Sequence, residues 1–80
     1  MIRLAGKRRL TKSELEDLRD NSGITNLQYN IIKLKYFDPE EYSVLRICDM
    51  LKISDGTYRN QLHKAEAQII DYYNAKSAHI

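Results

Sequence analysis

Eighty residues with a net charge of +2 and a single cysteine make at most one small domain, without an internal disulfide, whose core buries only roughly 60% of the unfolded surface. No apolar run approaches the ~20 residues that span a bilayer, and no apolar segment follows the N-terminal charges as a signal peptide would require. Glycine-rich phosphate loops and metal-spaced His and Cys clusters are also lacking, so neither an enzyme nor a cofactor is expected, and the lone cysteine fits the reducing cytoplasm.

The chain divides by charge. Residues 1–12 hold Arg3, Lys7, Arg8, Arg9 and Lys12 with no acid, giving +5; the remainder holds 8 bases and 11 acids, giving −3. A basic arm over residues 1–11 is expected, able to neutralise a few phosphates or enter a minor groove. A solubilising tail is the equal alternative. Residues 12–75 form the expected domain, and residues 76–80, with Ala75 at their edge, are expected to fray.

The first expected helix covers about 12–20. Thr11 is its cap and Glu14 completes a capping box. Leu15 and Leu18 give it a thin apolar edge. Asn21, Ser22 and Gly23 then read as a turn. The second helix is expected over about 26–37, capped by Thr25 with Gln28 at the box position. Leu27, Ile31, Leu34 and Phe37 mark one face, which Ile32 and Tyr36 widen. Asp38-Pro39 ends it, because a residue before proline disfavours the helical region.

The third helix is expected over about 43–51, capped by Ser43, with Val44, Ile47, Cys48 and Leu51 as its inner stripe. Lys52-Ile53 make the turn. The fourth starts after Ser54 and runs to about 74. Tyr58, Leu62, Ala65, Ile69 and Tyr72 or Tyr73 repeat along one edge of it. Its apolar end, Ile69, Ile70, Tyr72 and Tyr73, fits either a dimer seam or packing on helix one. With no strand alternation anywhere, the fold expected is all-α: a small four-helix domain containing a helix-turn-helix.

Helices three and four carry the functional expectation. In a helix-turn-helix the second helix enters the DNA major groove and its N-terminal part meets base edges. With Tyr58 centred on the buried face and 100° per residue, Gly56, Asn60, His63, Lys64 and Ala67 fall on the far side, with Arg59 on the flank. Arginine bonds guanine in a bidentate way and asparagine does so with adenine. Arg59 and Asn60 are therefore the leading base readers, with His63 and Lys64 one turn on. Gly56 permits close approach. Asp55 suits the helix dipole, and alternatively accepts from a cytosine amino group. Tyr42, Ser43, Arg46, Lys52, Ser54 and Thr57 are the phosphate candidates, each with a capping or solvated-surface alternative.

The segment from Leu27 to Tyr73 resembles region 4 of sigma-70-type factors, the domain that reads the −35 promoter element. The matching residues are IIKLKYF, 31–37, and RICDMLKISDGTYRNQLHKA, 46–65. It is still more similar to phage regulators of the ArpU and RinA type. There LKYF, ICDMLKIS, the Thr57-Tyr58 pair and a later Ala and Tyr look alike. The resemblance implies DNA contact at Asp55, Gly56, Arg59, Asn60 and Lys64. Sigma region 4 usually has glycine where this chain has Lys52, so a left-handed lysine is expected there. The link FDPEEYS is also longer and more acidic than in most sigma factors, and regions 2 and 3 have no counterpart.

The function expected is a sequence-specific transcriptional regulator of phage or mobile-element origin that binds double-stranded DNA. A homodimer or RNA polymerase would supply the rest of the affinity. A protein-interaction module is the alternative, using Glu14, Glu16, Asp17 and Asp20 or the link acids Asp38, Glu40 and Glu41. A DNA-packaging helper of the terminase small-subunit type is the third.

Overall fold

Thr11 and Thr25 begin the first two helices by the same device. In the computed structural model, which describes residues 10–38 and 40–77, each threonine Oγ1 accepts from the backbone N–H three residues on. Glu14 and Gln28 return the bond to the threonine N–H at 2.9 and 3.0 Å. These reciprocal caps satisfy two otherwise orphan donors at each helix start. Helix α1 spans Lys12–Asn21 and α2 spans Asn26–Ile32. Between them Gly23 turns the chain at φ 86°, which only glycine adopts without strain. Gln68 Nε2 donates to Ser22 O at 2.7 Å and pins this turn to α4.

The second helix does not continue in α geometry to Phe37 as the sequence predicts. Lys33–Phe37 form a π turn closed by the Asp38 N–H donating to Lys33 O at 3.0 Å. Through this wider turn Tyr36 joins the cluster that contains Ile32, and Phe37 packs against the same cluster. Tyr36 is buried and its hydroxyl donates to Glu66. Burial first, and the Glu66 carboxylate second, push its phenol far up, so it stays neutral. Asp38 then adopts extended backbone before Pro39, as expected.

Helix α3 spans Val44–Leu51 and α4 spans Asp55–Ser77, making an all-α domain. Two apolar clusters lie on either side of α2. Leu10, Leu15, Leu18, Ile32, Tyr36, Ala65 and Ile69 join α1 to the C-terminal half of α4. Ile31, Ile47, Cys48 and Tyr58 join α2 to α3 and the start of α4. Leu62 packs against both. Thus α2 is the wall on which both ends of α4 are built.

Three expectations are corrected. Val44, assigned to the inner stripe of α3, is 43% exposed. Only the middle of this eight-residue helix, Ile47 and Cys48, is buried in the core, and Val44 overhangs one turn before it. The frayed tail does not begin at Ala75, because α4 is helical through Ser77 and Lys76 Nζ lies 3.3 Å from Asp17 Oδ2. Residues 78–80 lie outside the described residues. Leu10, grouped with the arm by sequence, is 4% exposed and its N–H donates to Tyr36 O at 2.9 Å.

The apolar end of α4 takes the second of its two expected roles. Ile69 is fully buried, and the Tyr72 hydroxyl donates to Asp17 of α1 at 2.8 Å. Among the described residues no helix is long and apolar enough to cross a membrane.

Candidate nucleic-acid interface

The two helices of interest meet through a three-residue turn, residues 52–54, held by capping hydrogen bonds at both ends. Ser43 caps α3, its Oγ accepting from the Arg46 N–H at 3.1 Å. Lys52 closes α3 at φ 56°, ψ 48°, the left-handed conformation foreseen for it. The Ile53 N–H then donates to Cys48 O at 3.0 Å, satisfying a carbonyl that the helix leaves free. Ser54 caps α4: its Oγ accepts from the Thr57 N–H at 3.1 Å and donates to Thr57 Oγ1 at 2.9 Å.

Small side chains let α3 and the start of α4 close on each other. Cys48 is buried, with its Sγ 3.8 Å from Ser54 O. Tyr58 is 3% exposed and points into the same cluster. Burial pushes its phenol above the ordinary value. Once Tyr58 is fixed inward, helical geometry fixes the opposite face outward. Gly56, Asn60, His63, Lys64 and Ala67 are exposed there, and Asp55 and Arg59 are exposed on the flank that borders α3. The base-reading candidates are thus spread over the outward face and one flank of the first three turns of α4. Gln61, on the flank, is tied back to Gln28 of α2 at 3.0 Å, which fixes the roll of α4 on the domain.

The phosphate candidates divide. Arg46 on α3, Lys52 at the turn and Thr57 on α4 are exposed. Ser43 and Ser54 are exposed too, but their hydroxyl oxygens already serve as caps, so only further lone pairs and donors face solvent. Tyr42 is half-buried, packs on the Ile47 cluster, and has Asp38 and Glu40 close by. Burial first, then those two carboxylates, push its phenol up. Asp38 and Glu40 disfavour a phosphate at Tyr42, and the Arg46 cation beside it favours one. Lys12 stands on α1, whose Asp17 is bonded to Tyr72 near the far end of α4. It does not join the face at the start of α4. Arg3, Lys7, Arg8 and Arg9 lie outside the described residues.

Gly56 stands apart because the fold gives no reason for it. A Cβ at this position would meet nothing within 4 Å. Glycine within a helix costs roughly 0.5–1 kcal/mol relative to alanine. Here that cost has no return inside the molecule, and the bare backbone faces outward one turn before Asn60.

Two features of this region escape the sequence reading. One is the exposed apolar surface of α3: Leu45 is 81% exposed, Val44 43% and Met50 40%. Val44 and Leu45 line a shallow groove against Ile53 and Arg59. The other is the pairing of Arg59 Nε with Asp55 Oδ2 at 3.1 Å. The four-residue spacing of acid and base was the available signal for it. Among the described residues no three His, Cys, Asp or Glu side chains gather to hold a metal ion.

Comparison with protein-family models, curated proteins and solved structures finds no match. What this face can do is argued from its own chemistry. It offers a guanidinium, a carboxamide, an imidazole and an ammonium on the outward face and one flank of a helix, with two further cations and a bare glycine.

Proposed function

We propose that the chain is a sequence-specific DNA-binding regulator of transcription, in which α3, the turn and α4 act as a helix-turn-helix and the first turns of α4 read the major groove. One observation carries this: the segment from Gly56 to Ala65 contains no acid, buries Tyr58 and Ala65, and turns Gly56, Arg59, Asn60, His63 and Lys64 together to solvent. Those residue types match the hydrogen-bonding edges of guanine and adenine. The cost of Gly56 finds its return in close approach to the duplex. Arg46 and Lys52 flank the reader, where phosphates would run. The resemblance to sigma region 4 and to the ArpU and RinA regulators supports a role at promoters.

One monomer presents one short reader, so full affinity calls for a second DNA-bound unit, either another copy or RNA polymerase. Binding of the chain to fragments from its own gene's upstream region, at two salt concentrations, tests the proposal. Selective, salt-dependent binding supports it. No binding at low salt removes it.

A protein-contact module is the second reading, favoured by the exposed Val44, Leu45 and Met50. The surface differs from the one the sequence offered, since Asp17 in the acidic cluster is occupied by Asn21, Tyr72 and Lys76. Capture of RNA polymerase that Leu45→Ser abolishes, with no DNA binding, would favour this reading.

A further inference from the structure

Asp55 and Arg59 stand one turn apart on the exposed flank of α4 that borders α3, with Arg59 Nε 3.1 Å from Asp55 Oδ2. Their side chains are 57% and 76% exposed. A pair so open to water contributes little to stability. Its consequence is geometric. An ion pair with an acid one turn back along the helix confines the guanidinium to part of the arc it would otherwise sweep, and its terminal edge bears the two end nitrogens. That edge carries two N–H donors in a rigid plane, spaced for the O6 and N7 acceptors of guanine. An unheld arginine must lose rotamer freedom when it docks; one already held loses less.

We propose that Asp55 is a positioning residue: its carboxylate pairs with Arg59 and confines the guanidinium to the place from which its terminal edge takes a guanine in the major groove. This rests on the DNA-reading function proposed above. It also reassigns Asp55, which faces Arg59 and not a cytosine. The carboxylate has an opposite effect on affinity. It stands at the approach to a polyanion, so it weakens binding to every sequence alike while sharpening the choice at one base pair. Removing it therefore exchanges selectivity for affinity.

The test uses the full chain and the duplex that it selects from a randomised pool, with variants of that duplex changed at each base pair in turn. Wild type, Asp55→Ala, Asp55→Glu, Arg59→Ala and Arg59→Lys are compared, with circular dichroism as the check on folding. Wild type is expected to prefer G·C at one position by at least roughly tenfold. Arg59→Ala and Arg59→Lys lose that preference. Asp55→Ala weakens it at the same position several-fold, leaves the other positions unchanged, and binds all duplexes more tightly at low salt. Asp55→Glu, which still reaches Arg59 across one turn, keeps most of it.

If Asp55→Ala tightens all duplexes by one factor and the guanine preference stays whole, the acid is only a repulsive charge and the proposal falls. A preference lost at a position that Arg59→Ala leaves untouched would make Asp55 a reader in its own right, which also overturns it. Wild type that selects no sequence brings down the DNA-reading proposal itself. Selection that depends on Arg59 but not on Asp55 brings down only the positioning role.

Discussion

Tyr72 donates its phenolic hydrogen to both oxygens of Asp17, at 2.9 and 2.8 Å, and so ties the last turns of α4 to the middle of α1. Asn21 donates to the same carboxylate at 2.8 Å and Lys76 at 3.3 Å. This cluster is the polar counterpart of the buried Ile69 and Leu18 beside it.

It makes acid stability depend on one residue. The Asn21 hydrogen bond first, and the Tyr72 bond second, hold the Asp17 carboxyl below its ordinary 3.8. A carboxyl depressed in the folded state binds its proton more readily when unfolded. Its contribution is therefore complete above the ordinary carboxylate range and is lost as pH falls through the depressed value. Asp17→Asn should lower the urea midpoint at about pH 6, and the gap to wild type should narrow as pH falls below the ordinary carboxyl value of 3.8. A gap that is constant over that range would contradict the assignment. Tyr72→Phe should lower the urea midpoint near neutral pH, because it leaves Asp17 short of a donor.

Lys52 sits in the left-handed region at φ 56° because the chain must reverse between α3 and α4. A side chain there costs roughly 1 kcal/mol. Lys52→Gly is expected to raise stability by about that amount, read as a higher urea midpoint with an unchanged slope. It should also weaken DNA binding modestly at every sequence alike, since a phosphate-facing cation is lost. A β-branched residue in place of Lys52 should destabilise.

Gly56 gives the clearest separation of fold from function. Open space surrounds its missing Cβ, so Gly56→Ala should stabilise the domain by roughly 0.5–1 kcal/mol. The same methyl would stand between α4 and a duplex. A variant that melts higher and binds DNA less tightly is the expected result. Equal or better DNA binding would mean that nothing approaches the helix at this point.

Much of the fold was legible because its signals are local. Thr11 with Glu14, Thr25 with Gln28, Ser43 and Ser54 each mark a helix start within four residues of sequence. The departure from glycine at Lys52 announced a left-handed lysine. The outward face of α4 followed once Tyr58 was placed inside. What stayed hidden depends on partners far along the chain. The π turn serves Tyr36, whose hydroxyl reaches Glu66 on α4, and no pattern within 31–37 carries that demand. Periodicity put Tyr72 on a buried edge but could not name Asp17. Val44 fitted the helical stripe, yet a stripe does not say where the neighbouring helix stops.

The exposed Leu45 of α3 has no structural debt. Leu45→Ser should change stability by less than about 0.5 kcal/mol, as a surface substitution away from caps and core does. Ile31→Ala, at the centre of the cluster that seats α3 and α4, should cost about 3 kcal/mol, a large share of what so small a domain has.

Selection from a randomised duplex pool tests the central claim most directly. Wild type should enrich one short motif. Its affinity for that motif should fall roughly forty-fold between about 50 and 200 mM salt, if Arg46, Lys52 and Lys64 each neutralise a phosphate. Arg59→Ala and Asn60→Ala, with helix content unchanged, should each lose selectivity at a different base pair. If no sequence is enriched at any salt, or both variants enrich the motif as wild type does, then α4 does not read DNA.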